Sequence, residues 1–406
     1  MSRSAVHTRH HSAAPGQRLT RQPQTVLVLV FILLLSLLSI SCRQPQENVN
    51  RDPQTVKIGY FGDLSGPTFN FGQSALNGLL MAAEEINRSG GIGGLRIDVV
   101  IEDDHGSPER AAALVTKLIN EDKVVSVIAG GASGSSLAAA PRAQAAKIPF
   151  VSSSSTDPAV TRTGDYIFRV CYTDNFQGEV MGRFSTGRLK GTTAAIMVDF
   201  NNPYSRGLSD FFEVSFTKQG GRILTKQSYA QGDPDFRGQL SAINDAGPDL
   251  IYVPGYYGDV GLIAKQARQL GLTQPLLGGD GWDAPELWSL GGDALNGAYI
   301  SNHYSADDPS LEIQTFVNDY KQLHGNLVPD AHAALGYDAM RFLVEGIQRA
   351  GNTNGPNVRE ALALTKNFKG VTGVISLDEE RNAVKPAVIL KLQDTRYIYQ
   401  ETIRPE

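Results

Sequence analysis

The sequence predicts an α/β protein built from two doubly wound lobes, each on a parallel sheet. Three observations lead there. From Thr55 onward, short apolar runs alternate with stretches of helical spacing. The alternation begins afresh near residue 177. At roughly 100–200 residues per domain, a chain of 406 residues has room for about two or three domains.

The first run, 56–61, reads as a strand, and 75–87 has helical spacing that Gly90-Gly-Ile-Gly-Gly94 stops. A second strand follows at 95–101. Pro108 opens a helix to 120, because proline suits the first helical turn. Strand 124–129, helix 135–147 and strand 149–152 complete a β-α-β-α order, which places helices on both faces of a parallel sheet. The second series runs helix 177–189, strand 193–198, helix 205–219, strand 222–228, helix 236–245, strand 250–253, helix 258–270 and strand 274–277. Two long helices, 309–323 and 331–349, and a shorter one, 358–365, precede short strands between 373 and 399.

The beginning of the chain has a different character. Residues 1–41 contain Arg3, Arg9, Arg18 and Arg21, no acid, and an apolar run over 26–40. That run is short for a membrane span, which takes about 20 residues, and reads as a secretion signal. It ends in Leu38-Ser-Ile-Ser-Cys42, which resembles a bacterial lipobox with Ser39 in place of the usual leucine. Cys42 is then the lipidated first residue of the mature chain, and the polar, proline-containing stretch 42–54 a flexible tether. With Cys42 so used, Cys171 has no disulfide partner and is expected to be a buried small hydrophobe.

Composition removes several function classes. Without residues 1–41, the chain carries 33 basic and 42 acidic side chains, a formal charge of −9. Nucleic-acid binding would need a basic stripe. The glycine cluster at 90–94 follows a helix and precedes a strand, the reverse of a dinucleotide fingerprint. His105, His303, His324 and His332 have no metal-ligand spacing and no cysteine pair to assist them, so neither metal nor cofactor is expected. The acids Glu102-Asp103-Asp104 end a strand, where they cap turns, and the serine run 152–155 has no base partner in sequence. An enzyme is not expected.

The candidate site lies where loops leave the C-terminal edges of the strands, the usual ligand crevice of open α/β sheets. In the first lobe these loops carry Ser133 and the run from Ser152 through Ser154 to Thr156. Hydroxyls beside a helix start suit a carboxylate, although ordinary N-capping explains them as well. In the second lobe they carry Tyr204, Tyr256 and Asp280, with Trp282 close by. An acid between glycines there can hold an ammonium, and aromatic rings can wall a side-chain pocket. A turn residue and lobe packing are the plainer alternatives.

Several stretches together resemble a known family: Ile58-Gly-Tyr-Phe-Gly-Asp-Leu-Ser-Gly-Pro67 with Phe71-Gly72, Gly78 through Ile86-Asn87, Gly90-Gly91, Asp103-Asp104 with Pro108 and Ala111, Gly207, and Ala264-Lys-Gln-Ala-Arg-Gln-Leu-Gly271. They are similar to the branched-chain amino-acid-binding proteins, the leucine/isoleucine/valine-type substrate-binding subunits of ABC importers with the type I periplasmic-binding fold. The resemblance implies two lobes joined by a three-segment hinge: 55–174 with 303–384, and 175–302 with 385–400. It also implies roles. Ser133 and Thr156 bind the ligand's α-carboxylate, and the Ser154 main chain and Asp280 receive the α-ammonium. Tyr204, Tyr256 and Phe71 line the pocket. Phe69, Phe71 and Trp282 make its wall differ from the family's, and Ala132 replaces a cysteine of the family's first-lobe disulfide.

The resulting expectation is an exported, lipid-anchored monomer. It captures branched-chain or other neutral amino acids by hinge closure and delivers them to an ABC permease. A ligand-binding sensor of the same fold, and a binder of amides or urea, are the alternatives.

Overall fold

Asp63 explains why the first helix starts earlier than its apolar spacing suggests. Its carboxylate accepts the main-chain N–H groups of Gly66 and Thr68 and the Thr68 hydroxyl, which pins the turn after β1 (Thr55–Gly62). The helix α1 therefore spans Phe69–Arg88, and Phe71 lies in its first turn. In this computed structural model residues 55–405 are described, within one compact unit, Pro53–Glu406. The expected signal segment, Cys42 and the tether lie outside the described residues.

The chain continues through β2 (Arg96–Asp103), α2 (Pro108–Asn120), β3 (Ser126–Ala129), α3 (Ser133–Ala146), β4 (Phe150–Ser152), α4 (Ala159–Arg162) and β5 (Ile167–Arg169). These strands form an all-parallel five-stranded sheet, β2-β1-β3-β4-β5. Then come α5 (Asp174–Gly187), β6 (Thr193–Asp199), α6 (Pro203–Lys218), β7 (Arg222–Tyr229), α7 (Arg237–Ala246), β8 (Leu250–Tyr252), α8 (Tyr257–Gln269) and β9 (Leu276–Gly278). A 3₁₀ turn at Asp280–Trp282, α9 (Pro285–Gly291) and β10 (Tyr299–Asn302) follow. The last part is α10 (Leu311–Leu323), α11 (Ala331–Ala350), α12 (Gly355–Ala363), β11 (Phe368–Gly370), β12 (Gly373–Leu377), β13 (Ala383–Val384), β14 (Ala387–Gln393) and β15 (Arg396–Ile403).

The second sheet has seven strands, β15-β14-β10-β9-β8-β6-β7, with only β14 and β15 antiparallel to their neighbours. Strands β11–β13 form a small antiparallel sheet. The chain passes between the two large sheets three times: after β5, after β10 and before β14. Strands β5, β10 and β11 are not among those read from the sequence.

Each large sheet has its own apolar core, as the continuous Val/Ile/Leu runs of parallel strands require. One face of the first sheet packs on α1, α11 and α12. Its other face packs on α2 and α3. Helices α1 and α11 touch backbone to backbone. A methyl added at Gly78 would lie 1.8 Å from the Ala333 carbonyl, and one at Gly336 would lie 2.0 Å from that of Ala75. Phe71, although carried by α1, belongs to the apolar cluster of the seven-stranded sheet. Among the described residues no helix is long and apolar enough to cross a membrane.

Candidate functional site

The cleft between the two large sheets is built first from loops at the edge of the five-stranded one. After β3 the chain turns through Gly130. A methyl there would meet the Tyr60 hydroxyl at 1.9 Å, so only glycine lets Tyr60 pass beneath. Helix α3 then starts at Ser133, whose Oγ accepts the Asp157 N–H at 3.4 Å. The first N–H groups of any helix lack an acceptor within it, and Ser133 at the first position of α3 lines the cleft. The serine run is tied to the same loop. Ser153 donates to the Ala129 carbonyl at 3.0 Å, and Ser155 to that of Gly131 at 2.9 Å. Ser154 reaches Gly131 only weakly, at 3.3 Å. Beneath this loop lies Arg169, fully buried, whose guanidinium donates to the carbonyls of Ser155 and Asp157 at 2.7 Å each.

The opposite wall is organised around Asp280, which opens the 3₁₀ turn after β9. Gln177 Nε2 (2.8 Å) and the Tyr204 hydroxyl (2.9 Å) donate to Oδ1, and His303 Nε2 lies 3.0 Å from Oδ2. Gly279 leaves space for this cluster, since a methyl there would sit 2.7 Å from both Gln177 Nε2 and the Tyr204 hydroxyl. Tyr204 stacks on Tyr256 at 5.2 Å. Phe71 meets Tyr256 edge-on at 5.4 Å and stacks on His332 at 4.1 Å.

These walls close on a narrow cavity of about 10 Å³. Phe71, Ser133, Ser154, Tyr204, Tyr256 and Asp280 all line it, joined by Gly131, Ala132, Gly281 and His332. Thr156 is not in its wall: the side chain is buried behind the loop, turned toward the Asp174 carboxyl. Two aromatics expected near the cleft are elsewhere. Trp282 is wholly buried under the sheet edge, its indole N–H held by the Val253 carbonyl at 2.9 Å, because the 3₁₀ turn carries it back beneath Gly278. Phe69 points outward and is 37% exposed.

The electrostatics single out one group. Burial drives His303 down to about 4, and His332 likewise to about 4, so both are neutral at pH 7. Burial alone would push the Asp280 carboxyl up, but the hydrogen bonds from His303 and Gln177 outweigh it and hold the group below the ordinary value. Asp280 is therefore a buried carboxylate with neutral donors on three of its roughly four lone-pair sites. One site on Oδ2 remains for a donor from the cavity. The serine run has another character: its hydroxyls are engaged by neighbouring main chain, not poised by a base.

A larger hollow of about 390 Å³ opens near Trp288, Tyr304 and Tyr397. It contains none of the expected ligand residues. Its acids are already engaged, Asp283 by Asn302 and the Ala331 N–H, Asp330 by Ser74 and the Ala333 N–H. The strand-end acids also cap turns: Asp103 accepts the N–H groups of Leu64 and His105, and Asp104 that of Gly106.

Residues 55–396 match the family described as periplasmic binding protein. The chain belongs to that family. A Pseudomonas aeruginosa leucine-, isoleucine-, valine-, threonine- and alanine-binding protein is 31% identical over 80% of this chain and 86% of its own length. A leucine-binding protein from Thermotoga maritima is 36% identical, with a TM-score of 0.83 over 86% of this chain and 99% of its own. A branched-chain amino-acid transporter substrate-binding protein from Streptococcus pneumoniae, in complex with isoleucine, is 30% identical, with a TM-score of 0.82 over 87% of this chain and all of its own. As a periplasmic binding protein, the chain shares its two-sheet α/β architecture with these solved structures.

Sequence reasoning missed Gln177, Arg169, His303 and His332. His303 directly follows β10, a strand not read from the sequence, so the strand-edge rule that found Asp280 had no edge to start from there. Nothing in spacing or composition marks His332 or Arg169.

Proposed function

We propose that this periplasmic binding protein is the extracytoplasmic capture subunit of an ABC importer and takes an α-amino acid. The observation that carries the reading is the buried Asp280 carboxylate, which faces the start of α3 and Ser133 across one small cavity. A zwitterion fits both ends: its ammonium completes Asp280, and its carboxylate takes the Ser133 hydroxyl and free main-chain N–H groups. Ser154 offers its main chain to the ammonium. Thr156 contributes to the carboxylate only if the loop shifts on binding. The aromatic faces of Tyr204, Tyr256 and Phe71 close around the ligand. The amino acids named for the relatives support this class of ligand.

In this reading the lobes are 55–174 with 303–384 and 175–302 with 385–400. The ligand binds the first, and the second closes over it, because only the closed form makes both sets of contacts. The protein is exported, held at the membrane by lipid on Cys42, and works as a monomer that docks on a permease. It captures and releases its ligand without chemistry.

The test is thermal unfolding of residues 53–406, freed of ligand by denaturation and refolding, against the common amino acids, urea, short amides and benzoates. A ligand at about 100 times its Kd stabilises the folded state by about 2.7 kcal/mol. Shifts with neutral α-amino acids are expected. Shifts confined to amides, urea or benzoates would overturn the reading.

A further inference from the structure

We propose that His332 makes this site select an amino acid whose side chain carries a neutral hydrogen-bonding group, a hydroxyl or a carboxamide, over an aliphatic one of the same size. The inference rests on the amino-acid reading above and names the class of side chain.

His332 enters the cavity from the first turn of α11, stacked on Phe71 and 4% exposed. Neither of its ring nitrogens has a hydrogen-bond partner. One of them leans on the main-chain carbonyl of Asp280, in a contact too poorly aligned for a full hydrogen bond, and the other has no polar neighbour within reach. Buried polar atoms are otherwise nearly always partnered, and an unmade bond at such a group is expensive. An aromatic hydrocarbon ring would stack on Phe71 equally well and leave nothing unpaired. The imidazole is thus accounted for if its partner comes from within the cavity.

The ligand's two charged groups are already assigned elsewhere, the ammonium to Asp280 and the carboxylate to Ser133 with the start of α3. What remains for the wall formed by His332 and Phe71 is the side chain. Burial keeps His332 neutral, so it offers one donor and one acceptor whichever tautomer is present. A hydroxyl or carboxamide can answer either. A carboxylate side chain would bring a second negative charge close to Asp280, and an aliphatic one would leave an imidazole nitrogen unpaired. The narrowness of the cavity favours small side chains.

The experiment is calorimetric titration of ligand-free residues 53–406 with two pairs matched in shape, threonine against valine and asparagine against leucine, and with alanine as reference. Threonine is expected to bind at least about tenfold more tightly than valine, and asparagine more tightly than leucine, since a site built to bond a side chain rejects the analogue lacking it. In His332→Phe those ratios should collapse, each measured relative to that variant's own affinity for alanine. Should that variant fail to fold, His332→Gln, which keeps a donor and an acceptor, should retain the threonine preference. Valine and leucine binding as tightly as their polar counterparts to the unaltered protein would overturn this inference and leave the amino-acid reading intact. If alanine and all four others fail to bind, both fall together.

Discussion

His303 Nε2 lies 3.0 Å from Asp280 Oδ2, with both side chains sealed from solvent. Because burial holds the imidazole neutral, it donates a hydrogen bond to the carboxylate without cancelling its charge. The pair therefore presents a negative group, already oriented, to the cavity.

Removing that charge should abolish most of the binding. In Asp280→Asn, the Tyr204 hydroxyl still has an acceptor, so the fold should persist. The ammonium contact loses about 1.5–3 kcal/mol, roughly a ten- to hundredfold rise in Kd by calorimetry. Unchanged affinity for every amino acid would remove Asp280 from the site.

Closure has its own contacts. Tyr257, at the start of α8, donates its hydroxyl to the Pro67 carbonyl at 3.1 Å and accepts the Asn70 N–H at 3.4 Å; Asn70 also donates to Glu286 at 2.5 Å. These bonds cross the cleft beside the cavity. Tyr257→Phe should weaken the closed form by about 1 kcal/mol, a Kd increase of about fivefold. Small-angle scattering should show a larger radius of gyration for the variant at subsaturating ligand. Identical scattering and affinity would assign these contacts to packing alone.

Acid stability should register His332 with a definite sign. Its value falls from about 6.5 in the unfolded chain to about 4 in the folded one, chiefly through burial. Between those pH values the unfolded state binds the extra proton, so this residue's contribution to stability is present above about pH 6.5 and is lost as pH falls toward 4. Relative to His332→Phe, the unaltered protein should lose up to about 3 kcal/mol across that window in denaturant titrations. The two curves should run parallel above about pH 7. A constant difference at all pH values would mean that the imidazole titrates normally.

The helix contact that carries Phe71 and His332 tolerates no side chain. Gly336→Ala would drive a methyl into the Ala75 carbonyl. Forcing α1 and α11 apart should cost about 1–3 kcal/mol, seen as a lower melting temperature. The same movement pulls the Phe71 and His332 rings out of register, so ligand affinity should drop with it. A variant as stable as the parent would show that the helices can separate freely.

Cys171 is buried, donates weakly to the Ser155 carbonyl, and is pushed up to about 12 by burial. As the single thiol of residues 53–406, it should react with a disulfide reagent only after unfolding. Prompt reaction in the native state would show that the loop holding Ser154 opens on its own.

The alternation of apolar runs and helical spacing determined the two-sheet architecture, because a parallel strand buried on both faces must be continuously apolar and the helix after it must show one apolar stripe. The chemistry of loops at strand ends brought Ser133, Ser154, Tyr204, Tyr256 and Asp280 into view, since those edges are where an open sheet leaves a crevice. Only the tertiary structure decided which of the remaining side chains share that crevice. His332 reaches it from the start of a helix far along the chain, held there by the close approach of Gly78 and Gly336. Thr156 and Trp282 stand in the expected stretches yet face away, one behind its loop and one under the sheet. Periodicity records which face of an element is buried. It does not record which loops meet, because that depends on helix crossings and chain reversals set by contacts between residues distant in sequence.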